Sequence, residues 1–144
     1  LKLLQQTHWG TLAETLDETV TLIKTINRQN FGITFEPANL MACGSDFNKN
    51  ALNQLLPHIE NFYFQNIILD KNGKHIFPTI HNGDVRVKYI SLDNSKGLNI
   101  FSFLDFLREK KYDKWFTIHQ PLLKDQTVEI AIKNASKLFL QYKS

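Results

Sequence analysis

Short apolar runs alternate along the chain with longer segments in which apolar residues recur every third or fourth position. Leu1 to Gln6 reads as a short strand. From Thr11 to Arg28 the apolar positions Leu12, Leu16, Val20, Ile23 and Ile26 predict an amphipathic helix. Thr11 or Thr15 would cap it, with Glu14 and Asp17 in its first turn. Phe31 to Phe35 is a second strand, ended by Pro37. After a loop containing Gly44, Asp46 is placed to cap a helix from Asn48 to Leu56, which Pro57 closes. Asn61 to Leu69 reads as a third strand with Phe62, Phe64, Ile67 and Ile68 as its apolar residues, followed by turn residues Asp70, Asn72 and Gly73.

From Lys74 to Leu92 the alternation breaks. Ile76, Phe77, Ile80, Val85, Val87, Tyr89 and Ile90 around the turn pair Asn82-Gly83 suggest an extended excursion, a hairpin. The pattern then resumes with a helix from Asn99 to Lys111, a strand from Lys114 to His119 ended by Pro121, and a last helix from Thr127 to Gln141. A strand–helix unit that recurs about four times marks a parallel sheet with crossover helices, the α/β class. Periodicity does not separate a doubly wound sheet from part of a closed barrel.

With 144 residues, 42% of them hydrophobic, the chain is read as a single domain, 1–144, with a real core. The 17 basic and 14 acidic residues leave a formal charge of only +3, and the densest basic cluster, Arg108 to Lys111 with Lys114, is split by Glu109 and Asp113. No concentrated basic face is present, so nucleic acid is not an expected partner. No apolar run approaches the roughly 18 residues of a membrane span, so no membrane partner is expected either. Cys43 is the one cysteine, which excludes an internal disulfide and any multi-cysteine metal site and fits a reducing, cytoplasmic setting. The chain opens on an apolar segment without an initiator Met or a signal peptide, as though cut from something longer.

Polar residues gather where the strands end. Gln6, Thr7 and His8 follow the first strand, Glu36 and Asn39 the second; Tyr63, Gln65 and Asn66 lie on the third, and His119 and Gln120 follow the fourth. Parallel α/β proteins bind ligands at these C-terminal strand ends. The segments Thr7-His8-Trp9-Gly10, Gly32 to Leu40 and Asn61 to Asn66, with Gly97 through Asp113 and Phe116 to Gln120, resemble the sugar phosphate isomerase/epimerase family. The resemblance implies a xylose isomerase-like (β/α)8 TIM barrel, of which this chain supplies roughly the last four βα units. Such barrels run to about 250 to 300 residues. The missing N-terminal half of the barrel, or a second copy of the chain, is therefore an expected partner.

The same resemblance implies a sugar or sugar phosphate as the small-molecule partner and one divalent cation, Mn or Mg, held by four side chains from the four strand ends. Glu36 keeps a carboxylate where the family has one. Gln6 stands at the first glutamate, Tyr63 at a histidine or glutamine, His119 at the final glutamate, and Asn39 at a neighbouring histidine. Only Glu36 and His119 are good ligands for a divalent metal, with Gln6 a poor third. The ligand set is incomplete, so any cation is expected to be held weakly. Glu36 and His119 are the expected catalytic pair, and His8, Trp9, Asn39, Tyr63, Gln65 and Asn66 the expected substrate contacts. The plainer readings stand beside these: Trp9 as core, Asn39 as a loop residue bonding its own backbone, His119 as a buried histidine. His58 and His75 read as surface residues and His81 as part of a turn.

Two functions follow as expectations. One is a sugar or sugar phosphate isomerase or epimerase that moves a proton between adjacent carbons with an altered metal site. The other is a non-catalytic carbohydrate-binding or regulatory barrel that has lost its metal. A metal-dependent repair endonuclease would need more ligands and a basic face.

Overall fold

The computed structural model describes residues 1–45 and 49–143. Its strands and helices follow in the order β1 (Leu3–Gln6), α1 (Leu16–Ile26), β2 (Phe31–Phe35), α2 (Pro37–Ala42), α3 (Lys49–Leu55), β3 (Ile59–Phe64), β4 (Ile67–Leu69), β5 (His75–Thr79), β6 (Gly83–Tyr89), α4 (Ile100–Glu109), β7 (Trp115–Ile118) and α5 (Val128–Lys143). A single 3-10 turn, Leu56–His58, leads from α3 into β3.

Strands β1, β2, β3 and β7 form one sheet in that order, and every pair in it is parallel. Alternate side chains of a strand point to opposite faces. Phe31, Ile33 and Phe35 of β2 and Phe62 and Phe64 of β3 pack under Leu16 and Ile23 of α1, Leu52 and Leu55 of α3, and Phe103, Leu104 and Leu107 of α4. Full burial of one such aromatic side chain contributes roughly 1.5–3 kcal/mol, so this helix-covered face dominates the stability of the unit. On the opposite face Asn61 and Thr117 hydrogen-bond across β3 and β7 at 2.9 Å, and Glu60 pairs with both Lys2 and Lys114. Phe35, Phe62 and Phe64 are fully buried beneath the helices, with Phe116 packed against them.

The excursion is a second, antiparallel sheet in the order β4-β6-β5. The stretch Asn61 to Leu69 is therefore not one strand. It breaks at Gln65-Asn66, where the Asn66 side chain is taken up by the returning loop: it donates to the carbonyls of Ser91 at 3.0 Å and Asn94 at 2.8 Å and accepts from Leu98 N at 2.8 Å. The small sheet packs through Ile67, Phe77 and Val87 onto Ala38 and Ala42 of α2, with Trp9 and Tyr89 at its margin. It thus lies over the C-terminal ends of the parallel strands.

Helix α1 begins later than the periodicity predicts. Thr15 and Glu18 form a reciprocal capping box, and Asn27 ends the helix in the left-handed region. Thr11 is not a cap, and Leu12 is 75% exposed rather than on the buried face. Pro37 does more than end β2: it opens α2 at the first helical position, where a missing N–H costs nothing. The expected cap Asp46 and helix start Asn48 lie outside the described residues. No helix among the described residues is long and apolar enough to cross a membrane.

Candidate functional site at the strand ends

Glu36 is the centre of the polar cluster. Its backbone leaves β2 in an extended conformation just before α2, and its side chain is fully buried. Burying a carboxylate is costly unless donors surround it, and here they do. Gln6 Nε2 and Asn39 Nδ2 both donate to Oε2, the latter at 2.8 Å, while His119 Nδ1 faces Oε1 at 2.9 Å. Thr7, itself buried, accepts the Glu36 N–H on its hydroxyl at 2.7 Å. Gln65 donates to Asn39 Oδ1 at 3.1 Å, which fixes the Asn39 amide so that its NH2 reaches Glu36. One carboxylate, three amides and an imidazole are therefore drawn from the ends of β1, β2, β3 and β7 and from α2 into one network.

The His119 side chain is 52% exposed although its partner Glu36 is fully buried. It stands at the rim, with the Tyr63 ring 5.3 Å away. Gln6, Glu36, Asn39, Tyr63, Gln65 and His119 are brought together. Asn66 is not: its side chain is spent on the loop that follows β6. Trp9 stacks on Phe77 at 5.4 Å and belongs to the small sheet's apolar contact, and His8 Nδ1 meets the Trp9 carbonyl at 2.8 Å. Both lie beside the network without a hydrogen bond into it among the described residues.

Three participants carry little signal in the sequence. Thr7 reads as one polar residue among several, and only the fold shows that it braces Glu36. Gln120 accepts the Asn66 N–H at 2.7 Å, while its Nε2 is buried without a partner. Glu14 reads as a first-turn helix residue, yet it is fully buried and holds the tip of the small sheet. Its carboxylate accepts from Gly10 N at 2.7 Å, Ile80 N at 2.8 Å and His81 N at 3.1 Å. Burial by itself would raise this carboxyl; the three backbone donors and the nearby His81 outweigh it and hold it below the usual range. Next to it, burial and the Glu14 charge push the Cys43 thiol up to about 12, which rules out a reactive thiolate near neutrality. Tyr89, on the small sheet, is raised by burial and then by the charge of Glu36, which places it in the field of the site.

The donor set does not fit a divalent metal. Glu36 Oε2 already takes two amide donors and Oε1 one imidazole contact, so three of its roughly four acceptor sites are engaged. Among the described residues no three of His, Cys, Asp and Glu converge closely enough to hold an ion.

No protein-family model and no curated protein matches the chain. Solved structures do. The probable 3-DHS dehydratase AsbF of Bacillus anthracis, involved in petrobactin synthesis, superposes with a TM-score of 0.70 at 22% identity, over 96% of this chain and 49% of that one. A xylose isomerase-like TIM barrel protein from Mycobacterium smegmatis in complex with magnesium matches at 0.67 and 16% identity, over 99% and 44%. The chain folds as half of a xylose isomerase-like TIM barrel. The IOLI protein with a bound zinc atom agrees, at a TM-score of 0.62 and 18% identity over 98% of this chain and 48% of that one. The half-barrel thus spans about half the length of the structures it matches, and at these identities the likeness is one of fold. In barrel terms Glu36 and His119 stand at the C-terminal mouth, the end at which such barrels place their chemistry.

Proposed function

We propose that the half-barrel belongs to a protein that binds a sugar or sugar phosphate at this mouth and moves a proton between adjacent carbons without a metal ligand set of its own. The observation that carries the reading is the His119 Nδ1 to Glu36 Oε1 contact at 2.9 Å, with the carboxylate buried and the imidazole exposed. A carboxylate accepts hydrogen bonds and cannot donate. It therefore accepts a hydrogen bond from the Nδ1–H, which leaves the lone pair on Nε2 of the half-exposed ring. An imidazole so oriented is a general base for a proton next to a carbonyl. The Gln6 and Asn39 amides then fix the carboxylate that fixes the imidazole. One of the similar structures is that of a probable dehydratase. Proton abstraction beside a carbonyl opens both elimination and isomerisation, so the fold does not choose between them and the substrate must.

The test is solvent-deuterium incorporation. The chain is incubated in D2O with a chelator and a panel of ketoses and ketose phosphates, and exchange at the carbons flanking the carbonyl is followed by proton NMR. Exchange that survives the chelator and disappears in His119→Asn is the expected result. Exchange that requires added manganese would refute a metal-free base. The second reading, a carbohydrate-binding half-barrel without catalysis, is favoured by the lack of a second carboxylate in the network among the described residues. Binding of a panel member with no exchange would establish it.

A further inference from the structure

Removing a proton from beside a carbonyl drives negative charge onto the carbonyl oxygen, and the transition state is stabilised by a donor aimed at that atom. A divalent cation can fill that role, but the described residues around Glu36 do not form a ligand set for one. A hydrogen-bond donor not already committed within the protein must then serve. Most donors at the mouth are committed. Gln6 Nε2 donates to Glu36, and Asn39 Nδ2 donates both to Glu36 and to the Thr7 carbonyl at 3.2 Å. Gln65 Nε2 donates to Asn39, and His119 Nδ1 faces Glu36. Of the six side chains brought together, that of Tyr63 alone makes no hydrogen bond among the described residues.

Tyr63 stands between the carboxylate and the imidazole. Phe62 and Phe64 turn towards the helices, so the alternate residues Asn61, Tyr63 and Gln65 turn to the barrel interior. Asn61 is tied to Thr117 in both directions, at 2.9 and 3.2 Å, and Gln65 to Asn39 at 3.1 Å. On one side Phe35 pairs with Phe62, so Glu36 and Tyr63, the next residue along each chain segment, are neighbours in the same register. On the other side Tyr63 pairs with Thr117, and its ring lies 5.3 Å from that of His119 at an interplanar angle of 53°. The other three tyrosines are placed differently. Tyr112 and Tyr142 donate to backbone carbonyls at 3.3 and 2.9 Å, and Tyr89 lies on the small sheet, packed on the His75 ring at 4.8 Å. An unbonded hydroxyl on the half-buried Tyr63 has no protein partner to give up when a substrate arrives.

We infer that the Tyr63 hydroxyl is the electrophile of this site, donating a hydrogen bond to the substrate's carbonyl oxygen while His119 Nε2 removes the proton from the adjacent carbon. This role for Tyr63 rests on the proton-transfer reading above. The C–H electron pair becomes the C=C bond of an enediolate, the carbonyl π pair moves onto the oxygen that Tyr63 holds, and the proton rests on Nε2. Return of that proton to the neighbouring carbon, with the enediolate's hydroxyl proton passing to its oxyanion, completes an isomerisation that consumes no other reactant.

Tyr63→Phe removes a hydroxyl that holds nothing in the protein, so the urea midpoint and the 1H–15N spectrum away from the mouth should stay as in the parent. In the D2O assay with chelator, its exchange rate at saturating ketose should fall by about 100-fold or more, while the ketose concentration for half-maximal exchange moves little. Glycolohydroxamate, a planar analogue of the enediolate, is a second probe that needs no turnover. Titrated in chelator and followed by 1H–15N NMR, it should bind the parent saturably, with shifts at Tyr63 and His119, and bind Tyr63→Phe about tenfold or more weakly. Exchange in Tyr63→Phe at the parent's rate, equal hydroxamate affinity in the two proteins, or no saturable hydroxamate binding by the parent would overturn the assignment. The two proposals fail separately. Hydroxamate binding that depends on Tyr63, with no ketose exchanged, leaves the donor standing and removes the proton-transfer reading. Exchange that the parent and Tyr63→Phe share equally removes the role of Tyr63 alone.

Discussion

Glu36 combines two properties that seldom coexist, complete burial and three side-chain partners on one carboxylate, and the consequences can be measured one substitution at a time. Glu36→Gln can keep every hydrogen bond. Its oxygen takes the place of Oε2, facing the Gln6 and Asn39 amides, and its NH2 takes the place of Oε1. That NH2 must donate to His119 Nδ1, which forces the ring proton onto Nε2. The expected outcome is a loss of stability below about 1.5 kcal/mol, seen by urea denaturation, with an inverted histidine tautomer in long-range 15N NMR. Glu36→Ala instead orphans two amide donors and should cost about 1–3 kcal/mol. The metal prediction belongs at this scale too. Gln6→Glu combined with His119→Glu surrounds Glu36 with two further carboxylates in place of an amide and an imidazole. The variant should be less stable than the parent without cation and should bind manganese by calorimetry. Tight manganese binding by the parent would contradict the argument that its carboxylate is already engaged by three side chains. Much of this network is legible in the sequence, because Gln6, Glu36, Asn39, Tyr63, Gln65 and His119 all stand at strand ends. Thr7 and the buried Nε2 of Gln120 are not, because their roles depend on contacts between residues distant in the chain.

Among the elements, the parallel strand Phe31–Phe35 is the most legible, since the structure gives it the bounds that its apolar run predicts; β3 instead begins at Ile59, two residues before the expected Asn61, because Glu60 and Asn61 interrupt its apolar pattern. The errors fall where a polar residue acts at long range. Leu12 has the spacing of a helix face with Leu16, but Glu14 between them leaves the helix to hold the small sheet, and no local signal marks that. Asn66 ends β3 for the same kind of reason. Pro37 is ambiguous in sequence because proline both stops strands and starts helices. The Glu14 latch has a testable pH dependence. His81 Nε2 lies 2.7 Å from Glu18 Oε1 and 3.8 Å from Glu14 Oε2. The Glu18 contact, first, and then Glu14 raise His81 above its ordinary 6.5, so its ion pair is fully present below that value and is lost as pH rises through the raised one. Glu14 and Glu18 are depressed below 4.5. Their contribution is complete above 4.5 and is lost as pH falls through the depressed values. Protection factors at the Ile80 and His81 amides should therefore be highest between these limits, in mildly acid solution. Glu14→Gln must turn an NH2 towards backbone donors; it should cost about 1–3 kcal/mol and flatten the acid limb of that profile. An unchanged profile would mean that the latch does not control the tip.

The whole molecule presents two free edges, β1 on one side and β7 on the other, because the parallel sheet ends at both. An unpaired strand offers a row of N–H and C=O groups to any matching strand, and these edges carry apolar side chains. Leu3 of β1 is 66% exposed and Trp115 of β7 is 76% exposed. Val128, Ile132 and Leu140 of α5 are exposed as well, on the helix that follows the β7 edge. Little on these edges discourages pairing: Lys2 and Lys114, the nearest lysines, are both engaged by Glu60. The geometry that would satisfy both edges at once is a closed ring, in which β1 pairs with a β7-like edge and β7 with a β1-like edge. The remaining half of a longer chain would supply that pairing, and so would a second copy placed by a two-fold axis. Expressed as these 144 residues, the protein is therefore expected to associate, burying well over about 1,000 Å2 in a stable contact. Light scattering at micromolar concentration should give a mass above that of one chain, and Trp115→Lys should lower it by placing a charge on the β7 edge. The substitution lies on the face away from the helices, so the urea midpoint of a dilute sample should move little. A well-folded monomer of the parent sequence at those concentrations would show that the half-barrel closes its own edges, and the argument from unpaired strands would fall.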